Sequence, residues 1–287
     1  MKNKGKGLWG PGTKLGLPAV FLSCIVFFLV GLFGSMLRIQ DVSGLRRSRL
    51  LESVDKMTDY SPMPHGETGE TSVASMPFQV LSWKPRALYF PKFATAEQCK
   101  SIIKMAKANL EPSTLALREG ETVENTKGIR TSSGTFISAS EDKTGILDTI
   151  EQKIARVTML PRSQGEAFNV LRYEIGQGYH SHYDAFNPAE YGPQKSHRVA
   201  TFLLYLSNVK EGGETMFPYE NDFVDFNYDY KKCIGLKVKP RQGDGILFYS
   251  LFTNGTIDPT SLHGSCPVIE GEKWVATKWI RDQDQEG

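Results

Sequence analysis

The sequence contains few histidines and cysteines and lacks the motifs that identify several common classes of protein. It has five histidines and four cysteines in 287 residues, and no internal repeat is evident. It has no His-Glu-x-x-His motif, which argues against a zinc hydrolase of that type. Gly212-Gly213 is followed by neither Lys-Ser/Thr nor a helical pattern, so it is not a phosphate-binding loop. The positions of the few reactive side chains therefore carry most of the information.

Positive charge is also scarce outside the N-terminal part of the chain. Residues 1–50 hold eight Lys and Arg side chains against one acid, which leaves 26 basic and 31 acidic side chains in residues 51–287. The net charge of this larger part is therefore −5, although that of the whole chain is +2. Because phosphate binding requires a basic face, the composition argues against nucleic acid as a partner.

The N-terminal part does contain one long uncharged run. Residues 15–37 carry no charge and are mostly Leu, Val, Ile and Phe. A helix of about 20 such residues spans a bilayer, so we expect a transmembrane signal anchor. A buried core helix and a cleaved signal peptide are the alternatives, but the run is longer than a signal peptide's apolar region and lacks a small-residue cleavage site. Because the preceding tail, residues 1–14, is short, we expect it to be cytoplasmic and the rest to be luminal, in the endoplasmic reticulum or Golgi membrane.

Residues 38–78 follow the predicted anchor and lack sustained apolar periodicity. Their second half is rich in Ser, Thr, Glu, Met and Gly, a composition typical of a flexible stem. We expect one folded domain over residues 79–284.

The cysteines and one sequon are compatible with a luminal domain. Cys24 falls in the predicted anchor and Cys99 in a predicted helix. We therefore expect Cys233 and Cys266, which share the β-rich half of the chain, to form the one disulfide. Asn254-Gly255-Thr256 is an acceptor sequence for N-glycosylation in a segment with loop composition.

Two helices followed by many short strands are predicted for the folded domain. Thr95 and Gln98 form a capping-box pattern before a helical face that ends near Leu110, and a second helix is predicted over residues 142–157. Strands are predicted by the segments AFNVLRYEI, RVATFLLYLS, ETMFP, GLKVKP, GILFYSL and KWVATKWI. The order favours an α+β, mainly β fold, a sandwich or barrel braced by N-terminal helices. The continuous apolar run 199–206 predicts a central strand covered on both faces.

His182 and Asp184 are two residues apart. On a strand both side chains project from one face and can reach one ion, whereas a helix would set them about 200° apart. His263 lies 79 residues after Asp184, in the same β-rich half. Two imidazoles and one carboxylate form the facial triad that holds non-haem Fe(II) and leaves positions open for substrate and O2. Lys273 follows ten residues after His263, where its ammonium group would pair with a dicarboxylate co-substrate.

Other interpretations of the same histidines are weaker. His180-x-His182 resembles the histidine pair of a cupin metal site, but Glu174 stands where that motif requires Gly. Phe186 and Asn187 stand where the motif requires Glu. A zinc hydrolase with two His and one Asp would need a general base that the sequence does not evidently supply. Any one of these histidines alone could be an ordinary exposed residue on a loop, but this interpretation explains the whole set less well.

Six segments, in order along the chain, resemble the catalytic domain of prolyl 4-hydroxylases over about residues 80–283. The segments are Tyr173-x-x-Gly176-Gln177-x-Tyr179-x-x-His182-x-Asp184-x-Phe186, Arg198-Val-Ala-Thr-Phe-Leu-Leu-Tyr-Leu206, Gly212-Gly213-Glu214-Thr215-x-Phe217-Pro218, Leu262-His263-Gly264-x-Cys266-Pro267-Val268, Gly271-x-Lys273-Trp274 and Thr277-Lys278-Trp279-Ile280. The short anchored N-terminus is similar to the plant-type, membrane-anchored branch of that family, which acts on cell-wall hydroxyproline-rich glycoproteins.

The resemblance implies a fold and a reaction. The fold would be a double-stranded β-helix, or jelly roll. The reaction would be 4-hydroxylation of peptidyl proline with Fe(II), O2 and 2-oxoglutarate, releasing succinate and CO2, with ascorbate restoring oxidised iron. His182, Asp184 and His263 would ligate the iron.

The resemblance also implies roles for further residues. Lys273 would pair with the C5 carboxylate of 2-oxoglutarate, Tyr173 would hydrogen-bond the same carboxylate, and Thr215 is a weaker candidate for that contact. The residues near the substrate proline would be Tyr179, Arg198 and Trp279. The family often has His two residues after that Trp, and this chain has Arg281 instead, which keeps a basic group but not a neutral imidazole.

The implied substrates are proline-rich polypeptides, whose extended helix stacks on aromatic grooves. Two other functions remain as alternatives: a 2-oxoglutarate oxygenase of the same family with a different target, and an inactive module that binds proline-rich chains. The intact ligand set argues against the second. The sequence leaves open the natural substrate and whether the chain forms homo-oligomers or hetero-oligomers with related hydroxylases.

Overall fold

The computed structural model of this protein describes residues 25–29, 76–222, 229 and 232–285. Residues 25–29 are helical and exposed, and they belong to a different unit of the chain from residues 76–285. No helix within the described ranges has the length and apolarity needed to cross a bilayer. Most of the predicted anchor, the tail before it and the stem up to residue 75 lie outside those ranges, so the predictions for them stay predictions.

From residue 76 onward, the described chain is mainly β. Fourteen strands occur in the described residues, and in chain order they are β1 (Gln79–Trp83), β2 (Arg86–Phe90), β3 (Glu111–Pro112), β4 (Ser133–Ile137), β5 (Phe168–Tyr173), β6 (Tyr179–His182), β7 (Arg198–Tyr205), β8 (Glu211–Gly212), β9 (Thr215–Phe217), β10 (Leu236–Val238), β11 (Gly245–Tyr249), β12 (His263–Ser265), β13 (Val268–Glu270) and β14 (Lys273–Arg281). An eight-stranded sheet has the order β1-β2-β11-β7-β14-β5-β4-β3, and a four-stranded sheet has the order β10-β9-β12-β6. Strands β13 and β8 form a separate pair.

Strand β7 lies at the centre of the large sheet, between β11 and β14. Ala200, Phe202 and Leu204 pack in one apolar cluster with buried residues of the two long helices. Leu203 and Tyr205 alternate with them along the strand and pack in a second cluster, which has members from both sheets. Burial on both faces explains the continuous apolar sequence and confirms the predicted central strand.

Helix α1 (Ala96–Lys107) begins with the predicted capping box. The Thr95 hydroxyl accepts a hydrogen bond from the Gln98 backbone N–H at 3.2 Å, and the Gln98 side chain accepts one from the Thr95 N–H at 3.0 Å. These two bonds satisfy N–H groups that a helix start would otherwise leave unpaired.

Helix α2 (Ile146–Thr158) begins later than the predicted residue 142. The Asp142 carboxylate accepts hydrogen bonds from the backbone N–H groups of Thr144 and Leu147, each at 2.8 Å. Gly145 then takes a φ of 70°, outside the helical region. Asp142 therefore caps the helix from outside it. A short helix that the sequence did not predict, α3 (Pro188–Tyr191), follows β6.

Strand β4 was also missed by the sequence pattern. Its sequence, SGTFI, contains Ser and Gly, and Phe136 is exposed. A Cβ at Gly134 would lie 2.6 Å from the Leu171 side chain, so this glycine permits the close approach of β4 to β5. β6 and β12, which lie side by side in the smaller sheet, carry the histidines of the candidate site.

Candidate active site

The structure brings the three predicted metal ligands together. His182 ends β6 and is paired in register with His263, which begins β12. Asp184 lies two residues beyond the end of β6, so it follows the strand instead of lying within it. Its carboxylate oxygens lie 3.7 Å from His182 Nε2 and 3.5 Å from His263 Nε2. One ligand atom from each residue lies within 4.8 Å of the others.

Backbone carbonyl groups orient both imidazole rings. Nδ1 of His182 lies 2.9 Å from the carbonyl oxygen of His180, and Nδ1 of His263 lies 3.0 Å from that of Ser261. Each Nδ1 must carry the hydrogen to donate to a carbonyl, so each Nε2 presents its lone pair towards Asp184. The neutral tautomer that a divalent metal requires is thereby selected.

Electrostatics favour a neutral imidazole beside an ionised carboxylate. Burial and the nearby His263 ring lower the pKa of His182 to about 3. Burial by itself would raise the pKa of Asp184, but the His263 and His182 rings, with Arg198 and the Thr201 hydroxyl, hold it below its ordinary value. Thr201 on β7 donates to Asp184 Oδ2 at 2.6 Å. Sequence reasoning missed this hydroxyl because nothing in the spacing relates β7 to Asp184.

An inner cavity of about 50 Å³ connects the triad to Lys273. Lys273 is 2% exposed, and its Nζ donates to the Ser265 hydroxyl at 2.9 Å. Within the described part of the chain, no carboxylate lies within ion-pair distance of this ammonium group. Burial lowers the pKa of Lys273 to about 7, against a smaller opposing effect of Glu214. A buried cation without a partner is costly, and an incoming carboxylate would relieve that cost.

The two further residues predicted for the co-substrate also line this cavity. Tyr173 is paired in register with Lys273, whose Nζ lies 5.3 Å from the tyrosine ring centroid. Burial raises the pKa of Tyr173, so its hydroxyl stays protonated and able to donate. Thr215 accepts a hydrogen bond from the Tyr205 hydroxyl at 2.8 Å, which leaves its own O–H as a donor. Ser265 and Tyr205 were not predicted, because only the fold brings them to Lys273.

An open groove of about 640 Å³ leads from the surface to His182 and Asp184. The three predicted substrate residues, Tyr179, Arg198 and Trp279, all line it. Tyr179 stacks on the His182 ring with centroids 3.7 Å apart. The guanidinium carbon of Arg198 lies 3.7 Å from the ring centroid of Trp279. The groove wall nearest the triad is therefore made of stacked aromatic and guanidinium planes.

Three further groups, which line this wall or contact its residues, were not predicted. Glu166 binds Arg198 through two hydrogen bonds of 2.7 Å. Phe136 on β4 lies with its ring centroid 6.4 Å from that of Trp279. Arg130 lies over the Tyr179 ring at 4.8 Å and lines both the groove and the inner cavity. The Trp279 indole N–H is buried and has no hydrogen-bond partner in the described part of the chain.

The residues present fit Fe(II) and a dicarboxylate. The two imidazole rings are oriented by hydrogen bonds at Nδ1, and the carboxylate by the hydrogen bond that it accepts from Thr201. Two neutral imidazole nitrogens and one carboxylate held in this way suit a divalent first-row metal. The unpaired Lys273 ammonium at the far end of the inner cavity suits the remote carboxylate of a small diacid such as 2-oxoglutarate.

The remaining predicted residues are the cysteines and the sequon asparagine. Cys233 and Cys266 form a disulfide with Cα atoms 5.8 Å apart, while Cys99 is a buried free thiol. Asn254 lies in an exposed turn, in which its side-chain oxygen accepts hydrogen bonds from the backbone N–H and the hydroxyl of Thr256. The sequon is therefore on the surface.

This arrangement matches known proteins in sequence and in structure. Residues 168–281 match the family described as the 2OG-Fe(II) oxygenase superfamily. The structure is similar to that of the viral collagen prolyl hydroxylase vCPH from Paramecium Bursaria Chlorella virus-1 in its 2OG complex, with a TM-score of 0.50 and 26% sequence identity, covering 68% of this chain and 95% of that one.

Two curated relatives from Arabidopsis thaliana match almost end to end. The chain is 68% identical over 276 residues to "Probable prolyl 4-hydroxylase 9", covering 95% of this chain and 96% of that protein. It is 54% identical over 282 residues to "Prolyl 4-hydroxylase 13", covering 96% of this chain and 98% of that protein. These matches confirm the resemblance that the six sequence segments carry: the chain belongs to the prolyl 4-hydroxylase family of the 2OG-Fe(II) oxygenase superfamily.

Proposed function

We propose that this protein hydroxylates peptidyl proline at C4, with 2-oxoglutarate as co-substrate and ascorbate maintaining the iron. The observation that carries the proposal is the convergence of His182, Asp184 and His263 beside a buried, unpaired Lys273. When bound, Fe(II) with O2 and 2-oxoglutarate supplies the oxidant for an unactivated C–H bond, which acid–base side chains cannot break.

The inner cavity accounts for co-substrate choice. Lys273, which is buried and has no carboxylate partner among the described residues, would bind the remote carboxylate. Tyr173 would donate a hydrogen bond to it, with Thr215 as a weaker candidate for that contact. A monocarboxylate of the same length would leave the ammonium group unpaired. The site therefore selects a diacid.

The groove accounts for a proline-rich substrate. Tyr179, Trp279 and the Arg198 plane provide flat surfaces on which pyrrolidine rings stack. Arg198 lines the groove, and its guanidinium N–H groups can donate to a peptide carbonyl, which matters because proline-rich chains offer acceptors but few donors. An extended polyproline helix keeps its carbonyl groups free, so it fits this wall better than a compact peptide does.

We further propose that the substrates are secretory or cell-wall glycoproteins and that the chain is a single-pass type II protein of the endoplasmic reticulum or Golgi. Residues 15–37 would be the anchor, 38–78 the luminal stem and 79–284 the catalytic domain. The uncharged N-terminal run, the surface sequon at Asn254 and the Cys233–Cys266 disulfide support a luminal domain. The pairing of an eight-stranded and a four-stranded sheet around the site supports a double-stranded β-helix.

The test is turnover by the full-length chain with Fe(II), 2-oxoglutarate, ascorbate and a synthetic poly-L-proline peptide. We expect succinate release and a peptide mass gain of one oxygen atom, placed at C4 by analysis of the hydrolysed product. The His263→Ala variant should give neither product. Iron- and 2-oxoglutarate-dependent succinate without proline oxidation would identify an oxygenase with another target, and peptide binding without succinate would identify an inactive binding module.

A further inference from the structure

Two arginines converge on one carboxylate at the edge of the groove. Arg198 Nε and Arg281 Nε each lie 2.7 Å from Glu166 Oε1, and Arg198 Nη2 lies 2.7 Å from Oε2. The three side chains are largely buried, at 14%, 16% and 17% exposure for Arg198, Arg281 and Glu166. One carboxylate is therefore shared by two fixed cations in a partly dry environment, where such bonds are stronger than at the surface.

Only one of the two arginines reaches the groove. Arg198 lines it, and its guanidinium carbon lies 3.7 Å from the ring centroid of Trp279 and 5.1 Å from that of Phe186. Arg281 lies behind that wall and is not among the groove residues. Any effect of Arg281 on a bound peptide must therefore pass through the residues that it contacts.

Arg281 also holds the chain that leads into β7. Its Nη1 donates to the carbonyl oxygen of Ser196 at 2.9 Å and to the Ser196 hydroxyl at 3.0 Å. Ser196 lies between α3, whose Tyr191 lines the groove, and Arg198. The same guanidinium thus fixes both the carboxylate that holds Arg198 and the backbone two residues before Arg198.

The backbone contributes to the same arrangement. The Glu166 N–H donates to the carbonyl oxygen of Trp279 at 2.9 Å. Glu166 therefore contacts the tryptophan through its main chain and the stacked guanidinium through its side chain. With Arg281 removed, Glu166 would keep Arg198 but lose the second cation that holds its Oε1 atom.

We propose that Arg281 is a positioning residue for peptide binding: through Glu166 and Ser196 it holds the Arg198 guanidinium over the Trp279 ring. This inference rests on the proposed function of the groove. It also gives a physical meaning to the arginine at a position where the family often has histidine. A guanidinium stays charged at any pH at which the protein is folded, whereas an imidazole loses its charge near neutrality.

The other charges near this cluster do not replace Arg281. Lys278 interacts electrostatically with Glu166, but it is paired with Glu151 on α2. Asp282 accepts a hydrogen bond from the His197 backbone N–H at 2.8 Å. Among the described residues, the ion pairs of Glu166 are those with Arg198 and Arg281.

The experiment compares Arg281→Met, Arg281→Lys and Arg281→His with the native full-length chain. For Arg281→Met we expect the KM for a poly-L-proline peptide to rise about tenfold, the loss of roughly one charge-assisted hydrogen bond. The kcat at saturating peptide and the KM for 2-oxoglutarate should stay within twofold of native, because the metal and co-substrate sites are not touched. Arg281→Lys should restore part of the peptide affinity.

The pH dependence of Arg281→His separates positioning from mere folding. The protonated imidazole can pair with Glu166, so the peptide KM should be near native at low pH and rise towards the Arg281→Met value as pH increases through the imidazole titration. Neither native protein nor Arg281→Met should show this transition. A peptide KM for Arg281→His that does not change with pH would overturn the inference.

Arg172 is a matched control. It pairs with Glu272 at 2.8 Å and lies over the Trp274 ring at 5.9 Å, on the same large sheet but away from the groove. Arg172→Met should leave the peptide KM unchanged. If Arg281→Met does the same, or if it changes the melting temperature alone, Arg281 has only a structural role.

Calorimetric titration of the peptide into the same variants makes the test independent of turnover. A native protein that binds peptide without releasing succinate would contradict the proposed function, and a tenfold weaker binding by Arg281→Met would still support this inference. If Arg281→Met does not fold, the Arg281→Lys and Arg281→His variants decide the matter through their peptide affinities and pH profiles.

Discussion

Lys273→Met should cost this protein most of its affinity for 2-oxoglutarate while leaving the fold intact. The native ammonium group is 2% exposed, and within the described residues its hydrogen-bond partner is the Ser265 hydroxyl. A bound co-substrate would supply an ion-pair partner that Lys273 lacks among the described residues, and its carboxylate would become the unpaired group in the variant. Leaving one buried charge unpaired costs about 3 kcal/mol or more, which is a rise of about 150-fold in the KM for 2-oxoglutarate.

The stability of the unliganded protein should not fall in the Lys273→Met variant, although its affinity for 2-oxoglutarate does. Burial lowers the pKa of Lys273 to about 7, which means that the fold disfavours the cation. Methionine fills a similar volume without a charge, so the melting temperature of the unliganded Lys273→Met protein should be equal to or higher than that of the native protein. A higher KM for 2-oxoglutarate together with an equal or higher melting temperature would identify Lys273 as a binding residue and not a structural one.

Lys278 offers a matched control on the same strand. It is 4% exposed, but it is paired with Glu151 and packs over the Phe168 ring at 4.6 Å. Lys278→Met should lower the melting temperature, because it removes one of the two cations that pair with Glu151 and leaves Arg162 as the other, and it should leave the KM for 2-oxoglutarate unchanged. Equal KM values for the two variants, measured by succinate release at varied 2-oxoglutarate, would refute the assignment of Lys273.

Three further predictions test the triad, the pH dependence and the disulfide. Thr201→Val removes the hydrogen bond to Asp184 and should weaken iron binding by about 10–100-fold; activity titrated with Fe(II) measures this, and an unchanged iron requirement would contradict the role given to Thr201. Carboxylate binding favours protonated Lys273, so the KM for 2-oxoglutarate should be constant below pH 7 and rise about tenfold per pH unit above it; a flat profile up to pH 9 would contradict this linkage. Replacing Cys266 by Ser should lower the free energy of unfolding by about 3–4 kcal/mol, because the disulfide closes a loop of sequence separation 33; urea unfolding of both forms measures the difference, and no change would show that the disulfide does not stabilise the fold.

The sequence predicted those parts of the fold in which the local sequence pattern and the tertiary environment favour the same secondary structure. The run 199–206 is apolar because β7 is buried on both faces, and the Thr95–Gln98 capping box works within four residues. The β4 strand was missed because its stability comes from pairing with β5 across a close approach at Gly134, and its own side chains are half exposed. The start of α2 was misplaced because Asp142 could equally have been the first helical residue.

The candidate site divides in the same way. His182 and Asp184 were predicted from their separation of two residues in the sequence, and Lys273 from its position ten residues after His263. Thr201 and Ser265 belong to strands whose register with the site only the folded chain defines. Both contacts are hydrogen bonds between side chains of different segments, and a single sequence holds no signal of which hydroxyl will reach which charged group.

Glu166, Arg198 and Arg281 show the same limit for the groove. Arg198 and Arg281 are paired in register across β7 and β14, and Glu166 reaches both from the segment before β5. The resemblance to the family drew attention to Arg281 as a departure from its usual histidine. Its partner Glu166 is defined only by the positions of the three side chains in the folded chain.

The most direct measurement of the central claim is anomalous diffraction from a crystal grown without oxygen in the presence of Fe(II) and 2-oxoglutarate. One iron peak should lie within about 2.0–2.2 Å of His182 Nε2, an Asp184 oxygen and His263 Nε2, the range typical of such ligands, and the far carboxylate of 2-oxoglutarate should contact Lys273 Nζ. Iron bound elsewhere, or a co-substrate whose carboxylate points away from Lys273, would contradict the account.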